Sequence, residues 1–160
     1  MSRKIELVLP KQRVFAIAEL LDLQAPRTCE SIWQMLPIHE TAFHCADGGR
    51  EIFILTDPFK EFVGVENQTI YPLPGDIFFY YLVAGTQRFP LSYYKRGLAD
   101  GYDIAIWYGG DSQAHFPMAR AQFGGNHFAR IVENLGGFAR ACEGLWRDGT
   151  GDLIVKKNEP

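Results

Sequence analysis

The chain opens with two short alternations. Ile5, Leu7 and Leu9 share one face of residues 4–9, and Val14, Ala16 and Ala18 share one face of residues 13–20. A period of two marks a half-buried strand, and Pro10-Lys11-Gln12 between the two predicts a hairpin turn. The period then lengthens. Ile32, Met35 and Leu36 can share a helical face with Thr28 and Cys29 one turn earlier, so a helix is expected from about Pro26 to Met35. Pro26 suits its first turn, where the missing N–H is not needed, and Pro37 stops it.

Two further strands, 41–46 and 51–55, flank the turn signal Asp47-Gly48-Gly49. Residues 56–75 read as loop, with one short strand near Gln68 to Tyr71. Ile77 to Val83 is an unbroken apolar run, which implies burial on both faces or cover from a partner. A second long loop, 84–101, leads to a strand over Asp103 to Tyr108 that ends in Gly109-Gly110. An irregular strand is expected over 119–130, with a bulge at Gly124-Gly125. Leu135, Phe138, Ala139, Cys142, Leu145 and Trp146 recur at helical spacing and predict a second helix, 131–147. A last strand, Asp152 to Lys156, precedes a frayed tail. Mostly antiparallel strands with two helices predict a mainly β single domain over residues 1–160, a closed antiparallel β-barrel with plugged ends.

Composition narrows the function class. The 160 residues are 47% hydrophobic and 22% charged, ordinary for a globular chain and not for a disordered one. A net charge of −3 without a basic stripe argues against nucleic acid as a partner. The apolar N-terminal run is short and broken by Glu6, so no secretory signal is expected, and no run reaches the ~20 apolar residues of a membrane span. Three cysteines without CxxC spacing fit free thiols in a cytoplasmic protein. His39, His44, His115 and His127 have neither HxH nor HExxH spacing, so neither metal nor cofactor is expected.

A family resemblance enters at this point. Ala25-Pro26-Arg27-Thr28 followed by Ile32-Trp33, and Thr41-Ala42-Phe43-His44 followed by Gly48-Gly49, resemble segments of cyclophilins. Over most of residues 5–155 the chain resembles a bacterial cyclophilin-like family of unknown function. Leu36-Pro37, Gly49-Arg50-Glu51-Ile52, Glu66-Asn67-Gln68, Pro72-Leu73-Pro74-Gly75-Asp76 and Trp107-Tyr108-Gly109 add to that resemblance. It implies a cyclophilin-like barrel and no particular activity. Cyclophilins carry an arginine after the Phe-His pair, which acts on the prolyl amide; Cys45 stands there in this chain, and a thiol cannot supply a charged donor fork. Prolyl isomerase activity is therefore not expected.

The candidate chemistry lies in short polar clusters. Glu66-Asn67-Gln68 offers acceptors and amide donors in one stretch, either to grip an amide or carboxylate or to anchor the barrel rim. Tyr108 and Asp111 flank a glycine pair where a ligand could approach the backbone, or where the chain simply bends. His44 and Cys45 are neighbours on a strand and so face opposite sides. The expectation is one rim pocket with His44 and Glu66 as acid and base, the carboxylate keeping the imidazole protonated, and Asn67, Gln68, Tyr108, Arg50 and Asp111 as ligand contacts. The ligand expected is a small polar metabolite with an amide or carboxylate, bound, and hydrolysed or isomerised if the protein is an enzyme. The alternative is a peptide-binding or prolyl isomerase module. The apolar run Ile77 to Val83, with Tyr93 and Tyr94, points to a homodimer or larger homo-oligomer.

Overall fold

A computed structural model describes residues 2–45, 49–56, 63–82, 101–109, 121 and 124–159. Along the described residues run β1 (Lys4–Leu9), β2 (Val14–Leu20), α1 (Pro26–Met35), β3 (Ile38–His44), β4 (Glu51–Thr56) and β5 (Gln68–Thr69). These are followed by β6 (Asp76–Leu82), β7 (Gly101–Trp107), β8 (Gly125–Glu133), α2 (Leu135–Asp148) and β9 (Thr150–Lys157). The strands hydrogen-bond in the order β2-β1-β9-β3-β4-β7-β6-β8, and β8 pairs back to β2. Every pairing is antiparallel. The result is a closed eight-stranded barrel, to which the two-residue β5 attaches beside the start of β8.

Alternation decides which side chains fill it. Ile5, Leu7 and Leu9, Ile52 and Ile54, Ile77 and Phe79, and Ile104 and Ile106 point inward into one core. Cys29 and Ile32 of α1, and Phe138, Cys142 and Leu145 of α2, join that core, so the interior is solid. The helices close opposite ends. α1 links the end of β2 to the start of β3, and the Cys29 thiol reaches the Phe128 carbonyl at 3.3 Å near the start of β8. α2 links the end of β8 to the start of β9, beside the end of β3, the start of β4 and the end of β7.

The expected hairpin and first helix are present. β3 starts three residues before the expected position, because Ile38 to Glu40 pair with Leu153 to Val155 of β9. The second helix starts at Leu135, and residues 131–133 belong to β8. Asn134, in the left-handed region at φ 61°, breaks strand from helix. Its side chain folds against Gly137, where a Cβ would collide with it, which accounts for a glycine in the first turn. β9 runs from Thr150 to Lys157, two residues earlier and one later than the expected strand. The irregularity of β8 is a register shift opposite Ile77 and Phe78. Val83, Tyr93, Tyr94, Asp111 and His115 lie outside the described residues.

The central strands are buried on both faces. Ile77, Phe78 and Phe79 are all buried within the chain. The outward row carries a second apolar cluster of Phe53, Phe78, Ala105, Trp107 and Ala121, with Phe43, Cys45, Leu55 and Tyr80 packed against it. The apolar run of β6 is thus covered by its own chain over Ile77–Phe79, which removes that part of the argument for a partner.

Candidate functional site

The polar residues singled out in the sequence divide between the two barrel ends. At the α2 end, His44 closes β3 and Tyr108 follows β7, and Nε2 of His44 lies 2.6 Å from the Tyr108 hydroxyl. The other ring nitrogen, Nδ1, lies 2.8 Å from the Cys45 carbonyl. A carbonyl only accepts, so Nδ1 carries the proton and Nε2 accepts from Tyr108. Trp146 of α2 meets the imidazole edge-on at 4.6 Å. Burial lowers the His44 imidazole below its usual range, against the opposing bond to Cys45. The expected protonated imidazole is therefore a neutral one, and no carboxylate sits against it among the described residues. Arg50 reaches Glu143 of α2 at 3.4 Å, and its stem packs over Gly109, filling the space that a ligand was expected to use.

Glu66, Asn67 and Gln68 lie at the opposite end, beside α1 and the start of β8. Ala25, at the N-cap of α1, has no side-chain cap, and Glu66 supplies one from a distance. Its carboxylate accepts from the backbone N–H of Arg27 at 3.2 Å and of Thr28 at 2.8 Å. The Thr28 hydroxyl and the Arg27 guanidinium also donate to it, at 2.9 and 2.8 Å. These are the orphan donors and the positive dipole end of a helix, which suit an anion. Burial alone would raise this carboxyl, but the four donors together hold it below its usual range. Asn67 donates to the His127 carbonyl at 2.8 Å and Gln68 to the Gly124 carbonyl at 3.1 Å. Asn126 completes the knot by donating to Thr28 Oγ1 and to the Gly64 carbonyl. The expectation that His44 and Glu66 share one pocket is corrected here: strand direction separates them by the length of the barrel, and the Glu66 cluster anchors a helix.

A third constellation lies on the outward face of β4, β7 and β6. Register stacks it in three rows. Glu51 is opposite Trp107; Phe53, Ala105 and Phe78 align; Leu55, Asp103 and Tyr80 align. Rows on one face are about 7 Å apart, so the small Ala105 forms a floor between Glu51 and Asp103. Phe53 and Phe78 wall that floor, and the Tyr80 ring sits so close over Gly125 that a Cβ there would overlap it at 2.6 Å. Asp103 is 6% exposed and its Oδ1 has no hydrogen-bond partner among the described residues. Trp107 is 1% exposed, and its indole N–H meets the Tyr80 hydroxyl in a contact that falls short of full hydrogen-bond geometry.

The electrostatics of this face are unusual. Burial lifts the Asp103 carboxyl to about 8. Burial and then the neighbouring Asp103 lift Glu51 well above the usual carboxylate range, against a hydrogen bond from the Cys45 thiol. Burial, Glu51, Asp103 and Cys45 together push the Tyr80 phenol up. A buried carboxyl without a cationic partner costs several kcal/mol and survives by staying protonated. Such groups concentrate at functional sites. Beside this face, Asp76 is held by Arg130 at 2.7 Å and lies 3.2 Å from His127, whose ring packs on Phe78. Sequence reasoning missed Glu51 and Asp103. The available signal was an acid inside each of two apolar strands, Glu51 before Ile52-Phe53-Ile54-Leu55 and Asp103 before Ile104-Ala105-Ile106-Trp107.

Residues 7–155 match the model of a family described as a protein of unknown function, DUF3830. The chain belongs to that family. No curated protein matches it. Among solved structures, the DUF3830 chain is similar to McbB in complex with tryptophan, with a TM-score of 0.67 and 16% identity. That match covers 98% of the DUF3830 chain and 45% of McbB, so the chain spans less than half of that protein. It is also similar to the hypothetical protein AF2241 from Archaeoglobus fulgidus in its solution structure, with a TM-score of 0.54 and 20% identity. That match covers 98% of the DUF3830 chain and 95% of AF2241. Likeness at these identities is likeness of fold. Among the described residues no helix is long and apolar enough to cross a membrane, and no cluster of three metal-ligating side chains occurs.

Proposed function

We propose that this DUF3830 protein binds a small polar molecule with an amide or other carbonyl group on the outward face of β4, β7 and β6, and moves protons on it. The observation that carries the reading is the buried Asp103 carboxyl with its bare Oδ1, across the Ala105 floor from Glu51. Trp107 offers an N–H to a carbonyl oxygen, and the two raised carboxyls offer a proton donor and, once one has ionised, a base. Hydrolysis or isomerisation at the carbonyl is the chemistry such a pair serves. A ligand carboxylate is disfavoured on this face, because it would join two buried acids. His44 and Tyr108 at the α2 end form a neutral, satisfied pair and act as structural support. The tryptophan held by McbB supports small-molecule binding in a protein containing this fold.

We read the barrel as cyclophilin-like, bacterial and cytoplasmic, the last supported by the free thiols Cys29, Cys45 and Cys142. The prolyl isomerase reading loses further ground, because the nearby Arg50 is drawn to Glu143 at the α2 end and away from the outward face. A protease-coupled proline-peptide assay is expected to show the uncatalysed rate only. The binding reading is tested by thermal-shift screening of small amides against the wild type, Asp103→Asn and Tyr108→Phe. Ligands are expected to stabilise the wild type and Tyr108→Phe and to lose their effect in Asp103→Asn. Retention in Asp103→Asn with loss in Tyr108→Phe would move the site to the α2 end and overturn the reading.

A further inference from the structure

The outward face holds two kinds of unmet polar group. Trp107 Nε1 is a donor whose contact with the Tyr80 hydroxyl falls short of a full hydrogen bond, and Asp103 Oδ1 is an acceptor without a donor among the described residues. They approach the same floor, Ala105, from rows on either side of it. Around them stand the rings of Phe53, Phe78, Trp107 and Tyr80, and Phe78 meets Tyr80 at 6.2 Å and Trp107 at 6.4 Å. A buried polar group left short of a partner is costly, so an unmet acceptor and an under-met donor on one small patch mark a place shaped for something that meets both.

The missing partner must bring an acceptor for the indole and a donor for the carboxyl. Of the donors that could meet Asp103, a cation gains most. Among the described residues, the titratable groups facing it are Cys45 just after β3, Glu51 from β4 and Tyr80 from β6, with His127 of β8 behind Phe78 and paired to Asp76. None of the three that face it carries a positive charge. Arg50 and Arg130, the basic side chains described at its edges, are turned to Glu143 and Asp76. Aromatic rings add attraction for a cation at their faces. Resting on the binding reading above, we propose that the ligand is a primary ammonium compound with a nearby carbonyl and an apolar body: the ammonium docks between Asp103 and Glu51, and the carbonyl accepts from Trp107.

The balance of protons follows. Asp103 is largely protonated at neutral pH in the free protein. Docking of R–NH3+ leaves an ammonium–carboxylate pair and expels one proton to solvent. Below about pH 8, affinity should therefore rise about tenfold per pH unit and level off above it.

The test uses β-alanine benzylamide, which carries an ammonium, an amide carbonyl and a ring, and its N-acetyl derivative, which keeps the amide and ring without the charge. Calorimetry in two buffers of different ionisation enthalpy reads affinity and proton release together. Expected are binding of the amine with release of close to one proton near pH 7, binding of the acetylated form at least tenfold weaker, and loss of proton release in Asp103→Asn. Glu51→Gln is a second variant, expected to weaken amine binding while keeping the release. Equal binding of both compounds, or amine binding without proton release, overturns the ammonium proposal and leaves the amide-binding reading standing. Failure of both compounds to bind wild-type protein at millimolar concentration overturns the proposal together with its place on this face.

Discussion

Replacing Asp103 by asparagine should make the protein more stable, by an amount that depends on pH. The carboxyl stands at about 8 in the fold and at an ordinary value of 3.8 in the unfolded chain. Below the lower value both states hold the proton and the carboxyl has no linked cost. As pH rises the unfolded chain gives up its proton and the folded chain keeps it, so the fold loses stability steadily until the upper value is passed. At about 1.4 kcal/mol per unit, the loss near pH 7 is about 4 kcal/mol, with Glu51 coupled into the same titration. Asparagine keeps the shape and removes the titration. For a chain of this length, about 4 kcal/mol corresponds to a rise of roughly 10 °C in melting temperature. Calorimetric melts from acid to neutral pH should show the wild type falling relative to Asp103→Asn, with the gap widest near pH 8. Parallel curves for the two proteins would refute the reasoning, because they would mean that Asp103 titrates alike in both states.

Three further outcomes are expected. Glu66→Gln should cost about 1–3 kcal/mol in urea unfolding at neutral pH by weakening the distant cap of α1, and the cost should vanish in acid, since a lowered carboxyl loses its stabilising share as pH falls through its folded value. Tyr108→Phe should destabilise by about 1 kcal/mol; nitrogen NMR should find His44 with its proton on Nδ1, and its lowered imidazole should make the fold less stable as pH drops below about 6.5. Sedimentation equilibrium is expected to give a mass of at least twice 18.1 kDa, with Phe15 and Trp146 as exposed apolar groups available for the contact. A monomer would remove the assembly expectation.

The barrel was legible because its strands alternate cleanly and its helices are bounded by proline, asparagine and glycine. Ile5-Leu7-Leu9 and Ile52-Ile54 face the core as a period of two requires. The second helix started late because Ile131 continues the strand alternation, and nothing local outweighs it until Asn134 turns left-handed. The site was half legible. His44 and Tyr108 meet because both end strands at the same barrel end. Glu66 was misplaced because a sequence shows that a carboxylate is present and not which end of a barrel receives it; the bare N-cap at Ala25 was the clue that α1 needed an outside anion. Glu51 and Asp103 sit within apolar strands, where neither a loop nor a polar cluster marks them. An acid within an apolar strand is the costlier placement and so the more telling one.

Everything proposed for the outward face depends on Asp103 holding a proton at neutral pH in the free protein. Carbon NMR of the side-chain carboxyls, with the Asp103 signal assigned by its loss in Asp103→Asn, tests it most directly. The expected result is a carboxyl carbon that titrates at about 8 in the free protein and shifts to its ionised position near pH 7 when β-alanine benzylamide is added. An Asp103 signal whose titration is complete in the ordinary carboxylate range, near 3.8, and which ignores the added amine would rule out a protonated Asp103 as the ligand's docking group.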